Sequence, residues 1–158
     1  MKLEFELNGK RVEAVVEART TLADCIRDQL KQTGTHLACE HGVCGACTVL
    51  LNGQSIRSCL MFAVQADGCE ITTVEGLGDP EHLHPLQQSF WDNHGLQCGF
   101  CTPGMLMTAF DLVRNYSLET DDDIRLGLSG NICRCTGYQN IVTAVREAVK
   151  ALREKSTA

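Results

Sequence analysis

The chain has 158 residues, 44% of them hydrophobic and 22% charged, which is the balance of a globular protein rather than a disordered one. The formal net charge of −6 argues against binding to nucleic acid or to an anionic membrane. No run approaches the ~18 apolar residues of a membrane span. The first ten residues carry acidic side chains where a signal peptide needs an apolar core, so a cytoplasmic location is expected.

Alternating polar and apolar residues from Lys2 to Val16 predict a β-hairpin at the start of the chain. Its turn falls at Asn8-Gly9, a pair that tolerates the positive φ angles of a type I′ turn. Thr21, with an acidic residue three positions later, resembles a capping box and begins a helix predicted over residues 22–30. Cys25 lies on the apolar face of this helix, so we expect it in the core.

Residues 33–47 have no periodicity and contain three glycines, which predicts a loop. A second hairpin follows, with strands over residues 48–51 and 54–57 joined by Asn52-Gly53. A short strand is predicted over residues 71–74. Two hairpins around one helix indicate a small α+β sheet that packs on that helix.

The second half of the chain has a helical pattern after a linker at residues 75–80. Four helices are predicted, and four helices of this size form a small bundle. The first contains Leu83 to Phe90, and the second begins at Thr102. The third covers residues 121–128, and the fourth covers residues 140–154. Helical spacing places Met105, Met107 and Trp91 in the bundle core. The run Asp121-Asp122-Asp123 is interpreted as the charge bias of a helix N-terminus.

Ten cysteines are more than a cytosolic enzyme of this length normally carries. Disulfides rarely persist in a reducing compartment, so this excess favours metal or redox chemistry. Four of them follow the pattern C-x4-C-x2-C, with eleven residues before the fourth: Cys39, Cys44, Cys47 and Cys59. This spacing is typical of the ligands of a plant-type [2Fe–2S] cluster.

Two features of the loop favour a cluster at these four cysteines. Gly42 and Gly45 allow backbone N–H groups to turn toward the sulfur atoms, where they stabilise an anionic centre. Cys59 closes the second hairpin, which fixes its distance from the other three. A zinc site is the alternative, but zinc usually takes paired C-x2-C knuckles and fits this spacing poorly.

A second group combines C-x2-C with C-x-C about thirty residues later: Cys98, Cys101, Cys133 and Cys135. On spacing alone this group could hold zinc, a [2Fe–2S] cluster or a redox dithiol. Cys101 comes directly before a predicted helix, and the last two cysteines lie just ahead of the final helix. Helix N-termini present unpaired N–H groups, which favours an anionic cluster.

Residues 39–49, 97–104 and 130–138 resemble the motifs of the small iron–sulfur subunit of molybdenum hydroxylases, the family of xanthine oxidase and aerobic carbon monoxide dehydrogenase. All eight cysteine positions match in order, and the resemblance covers nearly the whole chain. It implies an α+β protein with a plant-type ferredoxin-like β-grasp domain over residues 1–76. An all-α four-helix-bundle domain over residues 77–158 follows, and each domain holds one [2Fe–2S] cluster.

The resemblance further implies an oxidoreductase subunit that transfers electrons and does no substrate chemistry itself. In this family the subunit joins a large molybdopterin-binding subunit and usually a medium FAD-binding subunit, here expected as a dimer of heterotrimers. Substrate is hydroxylated at molybdenum, and electrons pass singly through the helical-domain cluster, then the ferredoxin-type cluster, to FAD. Gln97 is implied to hydrogen-bond the pterin, and Cys135 to be both ligand and electron bridge.

Two functions of other classes stay open from the residues alone. One is a diffusible ferredoxin-like carrier, and the other is a structural zinc module. An exposed apolar surface around residues 136–140 and Gln97 would favour the obligate subunit, because a carrier should be polar there. Cys69 is interpreted as a plain thiol, and the five histidines as loop or surface residues.

Overall fold

The computed structural model describes residues 1–156, and the side chains of residues 1–154. Its first half contains five strands, β1 (Lys2–Leu7), β2 (Lys10–Val15), β3 (Thr48–Leu51), β4 (Gln54–Arg57) and β5 (Glu70–Thr72). They form one mixed sheet in the order β2-β1-β5-β3-β4. β1 pairs in parallel with β5, whereas the other neighbouring strands pair antiparallel. The predicted α+β sheet is confirmed.

Both predicted hairpins are present with the expected turns. Asn8 and Gly9 have φ angles of 52° and 75°, and Asn52 and Gly53 have 49° and 82°. Positive φ at both turn residues matches the twist of the flanking strands and fixes their register. One face of β1 therefore enters the core of the sheet half, and its buried members are Leu3, Phe5 and Leu7.

The helix predicted over residues 22–30 is only partly α-helical. Helix α1 (Leu22–Asp24) begins at Thr21, whose hydroxyl accepts the Asp24 N–H at 3.1 Å. The chain then widens into a π-helix (Cys25–Gln29), in which the Leu30 N–H donates to the Cys25 carbonyl at 3.0 Å. The apolar pattern does not separate the two helix types, because both put the same side chains on one face. Cys25 is fully buried, as predicted.

The second half consists of four helices, α2 (Pro85–Asp92), α3 (Thr102–Asn115), α4 (Asp121–Gly127) and α5 (Gln139–Ser156). Helix α5 packs against α2 and α4, and α3 packs against the same two helices. Thr120 caps α4 and the acidic run fills its first turn, which confirms the predicted charge bias. No helix in the described part of the chain is both long and apolar enough to cross a membrane.

One prediction in this half and one in the sheet half need correction. Trp91 was expected in the core, but it is 70% exposed, whereas Met105 and Met107 are buried as predicted. The buried stripe of α2 follows Leu86, Ser89 and Phe90, so the next residue turns about 100° away from it. The strand predicted over residues 71–74 ends at Thr72, because Val74–Gly76 forms a 3-10 turn instead.

The carboxylate of Asp111 connects the two halves. It lies on α3 and is buried, and its Oδ2 accepts the backbone N–H of Ser55 at 2.9 Å and the Ser55 hydroxyl at 2.5 Å. Asn115 donates to its other oxygen at 2.6 Å. Burial alone would raise the pKa of Asp111, but these hydrogen bonds outweigh it and hold the pKa below its ordinary value.

We expect Asp111→Ala to destabilise the chain, because it leaves the Ser55 donors without their acceptor. The expected cost is about 2 kcal/mol, which lowers the thermal midpoint by about 4–8 °C for a chain of this size. Glu13→Ala is the matched control, since Glu13 forms only an exposed ion pair with Lys2. Circular dichroism checks this, and equal midpoints for the two variants would show that Asp111 is not a tie between the halves.

Candidate iron–sulfur centres

The first four cysteines lie where the loop before β3 meets the β3–β4 hairpin. Cys39 and Cys44 are in the loop, Cys47 directly precedes β3, and Cys59 follows β4 in a 3-10 turn. Ser58 donates to the Cys47 carbonyl from its backbone N–H at 3.3 Å and from its hydroxyl at 2.7 Å. The closed hairpin therefore holds the third and fourth cysteines side by side.

The sulfur atoms of this first site stand as two pairs. The thiols of Cys39 and Cys44 interact with each other, and so do those of Cys47 and Cys59, while Cys59 also interacts with Cys39 across the two pairs. Cys47 and Cys59 are buried, whereas Cys39 and Cys44 are half-buried. One pair thus faces the interior of the chain, and the other lies nearer the surface.

Backbone N–H groups point at these sulfur atoms. The Cys44 N–H lies 3.4 Å from Cys39 Sγ, and the Ala46 N–H lies 3.5 Å from Cys44 Sγ. Hydrogen bonds from the His41 and Cys44 backbone lower the pKa of Cys39 to about 6, whereas burial raises the pKa of Cys59 to about 11. The Gly42 N–H counteracts that rise. The loop is therefore built to stabilise negative charge on sulfur.

The two loop glycines have positive φ angles, 85° at Gly42 and 74° at Gly45. Gly45 meets a second constraint that the sequence did not reveal. A Cβ there would lie 2.6 Å from Asn131 Nδ2 and 2.7 Å from the Gly130 carbonyl oxygen. Glycine at this position therefore lets the two cysteine-bearing loops approach each other closely.

The second group of cysteines is also brought together as two pairs. Cys98 Sγ lies 3.5 Å from Cys135 Sγ, and the thiol of Cys101 interacts with that of Cys133. Cys101 is the N-cap residue of α3, as its place before a helix predicted. We call Cys98 and Cys135 the outer pair, because both are exposed, and Cys101 and Cys133 the inner pair, because they are at least half-buried.

The inner pair is the less hydrated of the two. Burial raises the pKa of Cys101 to about 12. Burial opposes ionisation of Cys133 as well, but the Thr136 hydroxyl, 3.1 Å from Cys133 Sγ, brings its pKa below the ordinary value. A hydrogen bond from the Phe100 backbone lowers the pKa of Cys98 in the outer pair. Each pair thus contains a sulfur atom that is prepared for the thiolate form.

This paired arrangement fits a [2Fe–2S] cluster in each site. A [2Fe–2S] cluster takes four thiolates, two on each of its irons, so two pairs of thiols are the donor set it needs. The backbone donors around the first site add the stabilisation that an anionic cluster requires.

Two residues that sequence reasoning missed connect the sites. The Ile132 N–H donates to the Cys44 carbonyl at 2.8 Å, and Asn131 Nδ2 donates to the Gly45 carbonyl at 3.1 Å. Asn131 is itself buried and accepts a hydrogen bond from the Thr108 hydroxyl at 2.9 Å. Both residues lie within the 130–138 motif, so their presence was visible, but their partners in the first loop were not.

The remaining predicted residues lie as follows. Gln97 is exposed and precedes Cys98 of the outer pair. Exposed apolar side chains occur near this pair along the chain, namely Phe100, Ile132 and Tyr138. Cys69 is half-buried and belongs to neither site. Two histidines do more than occupy a loop: His84 accepts the Leu86 N–H at the start of α2, and His36 Nδ1 lies 2.7 Å from the Phe100 carbonyl oxygen.

Comparison with known proteins gives matches along almost the whole chain. Residues 5–72 match the 2Fe-2S iron-sulfur cluster binding domain, and residues 73–146 match the [2Fe-2S] binding domain. The chain is 53% identical over 147 residues to caffeine dehydrogenase subunit gamma of Pseudomonas sp. (strain CBB1), covering 91% of this chain and 88% of that protein. It is 50% identical over 156 residues to nicotine 6-hydroxylase small subunit of Paenarthrobacter nicotinovorans, covering 99% and 94%.

A solved structure of quinoline 2-oxidoreductase from Pseudomonas putida 86 gives the same result in three dimensions. One of its chains superposes with a TM-score of 0.92 at 47% sequence identity. The match covers 98% of this chain and 96% of that chain. The predicted fold class, a ferredoxin-like domain followed by a helical one, is confirmed by these matches together with the strands and helices described above.

Replacing one cysteine of the second site should remove one cluster and leave the other. We expect the parent chain to contain about four iron and four acid-labile sulfide atoms, and Cys98→Ser to contain about half of each, because one iron loses a thiolate. Cys69→Ser is the matched control and should retain the full content, since Cys69 lies outside both sites. Iron and sulfide analysis is the measurement, and full content in Cys98→Ser would remove Cys98 from the ligand set.

Proposed function

Because this chain belongs to the family of small [2Fe–2S] subunits of molybdenum hydroxylases, we propose that it carries electrons from a molybdopterin centre on a large partner subunit to FAD on a medium one. Each bound cluster takes up and releases one electron at a time. Four thiolates hold the first cluster, namely Cys39, Cys44, Cys47 and Cys59. Four others hold the second cluster, namely Cys98, Cys101, Cys133 and Cys135. No residue of this chain acts on the substrate.

The hydrogen bond from the Ile132 N–H to the Cys44 carbonyl carries this proposal. Ile132 is bonded to Cys133, a member of the inner pair, and Cys44 belongs to the more exposed pair of the first site. A continuous path of covalent bonds and one 2.8 Å hydrogen bond therefore joins the two cysteine sets. This supports direct transfer between the clusters without any residue of a partner subunit.

The exposure of the outer pair supports electron entry at the second site. Cys98 and Cys135 face the surface, while the inner pair faces the first site through Ile132. Gln97 is exposed beside Cys98, so its amide is free to reach a pterin on the large subunit. Cys135 then serves both as a ligand and as the bridge to that pterin.

The surface of the first site supports electron exit toward FAD. Val43, between Cys39 and Cys44 of the more exposed pair, is 55% exposed, and Leu60, next to Cys59, is 61% exposed. Exposed apolar side chains at both sites favour an obligate subunit over a diffusible carrier, because a carrier would not keep such surface in water.

The proposal also includes two domains, with a boundary between residues 76 and 77. In the proposed complex, two heterotrimers form a dimer.

The proposed order of transfer is tested with Cys133→Ser in the purified complex. We expect substrate still to reduce the molybdenum centre, while reduction of FAD is blocked because the second site no longer relays the electron. The first cluster should remain present and reducible by dithionite. Stopped-flow absorbance follows both steps, and FAD reduction at the normal rate would show that the order is wrong.

The proposed pterin contact is tested with Gln97→Ala. We expect full iron content and a roughly fivefold slower reduction of the clusters by substrate, since one hydrogen bond contributes about 1 kcal/mol and about 1.4 kcal/mol corresponds to a factor of ten. Gln54→Ala, in an exposed position on β4, is the matched control with an unchanged rate. Equal rates for both variants would remove Gln97 from the pterin site.

A further inference from the structure

The guanidinium of Arg57 lies between the two cysteine-bearing loops. Arg57 is the last residue of β4 and precedes Cys59 by two positions. Its Nη1 donates to the Thr48 hydroxyl at 2.7 Å, and its Nη2 donates to the Gly130 carbonyl at 2.6 Å. Thr48 follows Cys47 directly, and Gly130 begins the loop that carries Cys133, so one cation contacts both loops.

The surroundings of Arg57 are shaped to hold it there. A Cβ on Gly130 would lie 2.7 Å from Arg57 Nη2, so the guanidinium packs directly against this glycine. Thr48 is buried, and its hydroxyl donates in turn to the Gly45 carbonyl at 2.6 Å. The charged group is therefore fixed by a chain of hydrogen bonds rather than left to move in solvent.

The charge of Arg57 has no compensating carboxylate among the described side chains, for its two hydrogen-bond acceptors are both neutral. Other arginines of the chain do have acidic partners: Arg125 pairs with Asp122, and Arg146 pairs with Asp121. Partial burial of a cation that lacks an anion normally destabilises the folded state. Two [2Fe–2S] clusters with four thiolates each would supply that negative charge on either side.

We propose that Arg57 sets the reduction potentials of both clusters by holding an unpaired positive charge between them. Addition of an electron makes an anionic cluster more negative, so a nearby cation favours the reduced form and raises the potential. One fixed charge that contacts both loops shifts the two potentials in the same direction. This inference rests on the proposed occupancy of the two sites and goes beyond it.

Redox titration of the purified complex, followed by EPR, tests the role of this charge. In Arg57→Gln, which retains a donor but loses the charge, we expect the reduced-to-oxidised ratio of both clusters at a fixed potential to fall about tenfold. For a one-electron couple this corresponds to about 59 mV. Arg57→Lys should restore the ratio to within about twofold, because lysine retains the positive charge.

Arg11→Gln is the matched control, since Arg11 lies on β2 at the opposite edge of the sheet and pairs with Glu4. It should leave both ratios unchanged. Unchanged ratios in Arg57→Gln at full iron content, or equal shifts in Arg57→Gln and Arg57→Lys, would overturn the role of the charge and leave Arg57 a purely structural tie. Iron content below about four atoms per chain in the parent complex would instead overturn the occupancy of the sites, and this inference with it.

Discussion

The rest of the structure depends on the close approach of the first cysteine loop to the helical half at Gly45. The Gly45 carbonyl accepts the Thr48 hydroxyl at 2.6 Å and Asn131 Nδ2 at 3.1 Å. On its other side, a Cβ at Gly104 of α3 would lie only 2.2 Å from the same oxygen. No side chain fits at either glycine, so the sheet and the helices meet backbone to backbone. This contact positions Cys44 against Ile132 and thereby the first site against the second.

Such an approach creates an electrostatic problem, because it brings two sets of thiolates together in a chain of net charge −6. Hydrogen-bond donors and a cation close to the sulfur atoms compensate this charge, rather than the net charge of the chain. Backbone N–H groups point at Cys39 and Cys44, and the Thr136 hydroxyl lies beside Cys133. Arg57 adds a full positive charge that contacts both loops. Short-range donors of this kind are screened far less by salt than surface charges are, so they act on the sites under all ordinary conditions.

Sequence reasoning succeeded where local chemistry decides the structure. The two hairpins follow from Asn-Gly turns, the start of α4 from its acidic first turn, and the two cysteine groups from their spacing along the chain. It failed where the deciding contact lies far along the chain. Exposure of Trp91 depends on which stripe of α2 meets α5, and the hydrogen bond from Ile132 to Cys44 joins residues that lie far apart in the chain. The pairing of thiols within each group could not be predicted either, because the spacing identifies the four cysteines of a group but not which of them lie side by side.

The second site is asymmetric, because one of its two cysteine pairs is exposed and the other is not. Its outer pair is exposed at the surface, whereas its inner pair lies on the side of the first site. Cys133 and Cys135 belong to the same short loop, so this loop fixes which pair is exposed. In the proposed function this chain only carries electrons, which places no demand on the identity of the substrate. Its similarity, near 50% identity, to subunits of a caffeine dehydrogenase and a nicotine 6-hydroxylase fits that view. Those two names differ in substrate, which agrees with the proposal that selection of the substrate belongs to the partner chains.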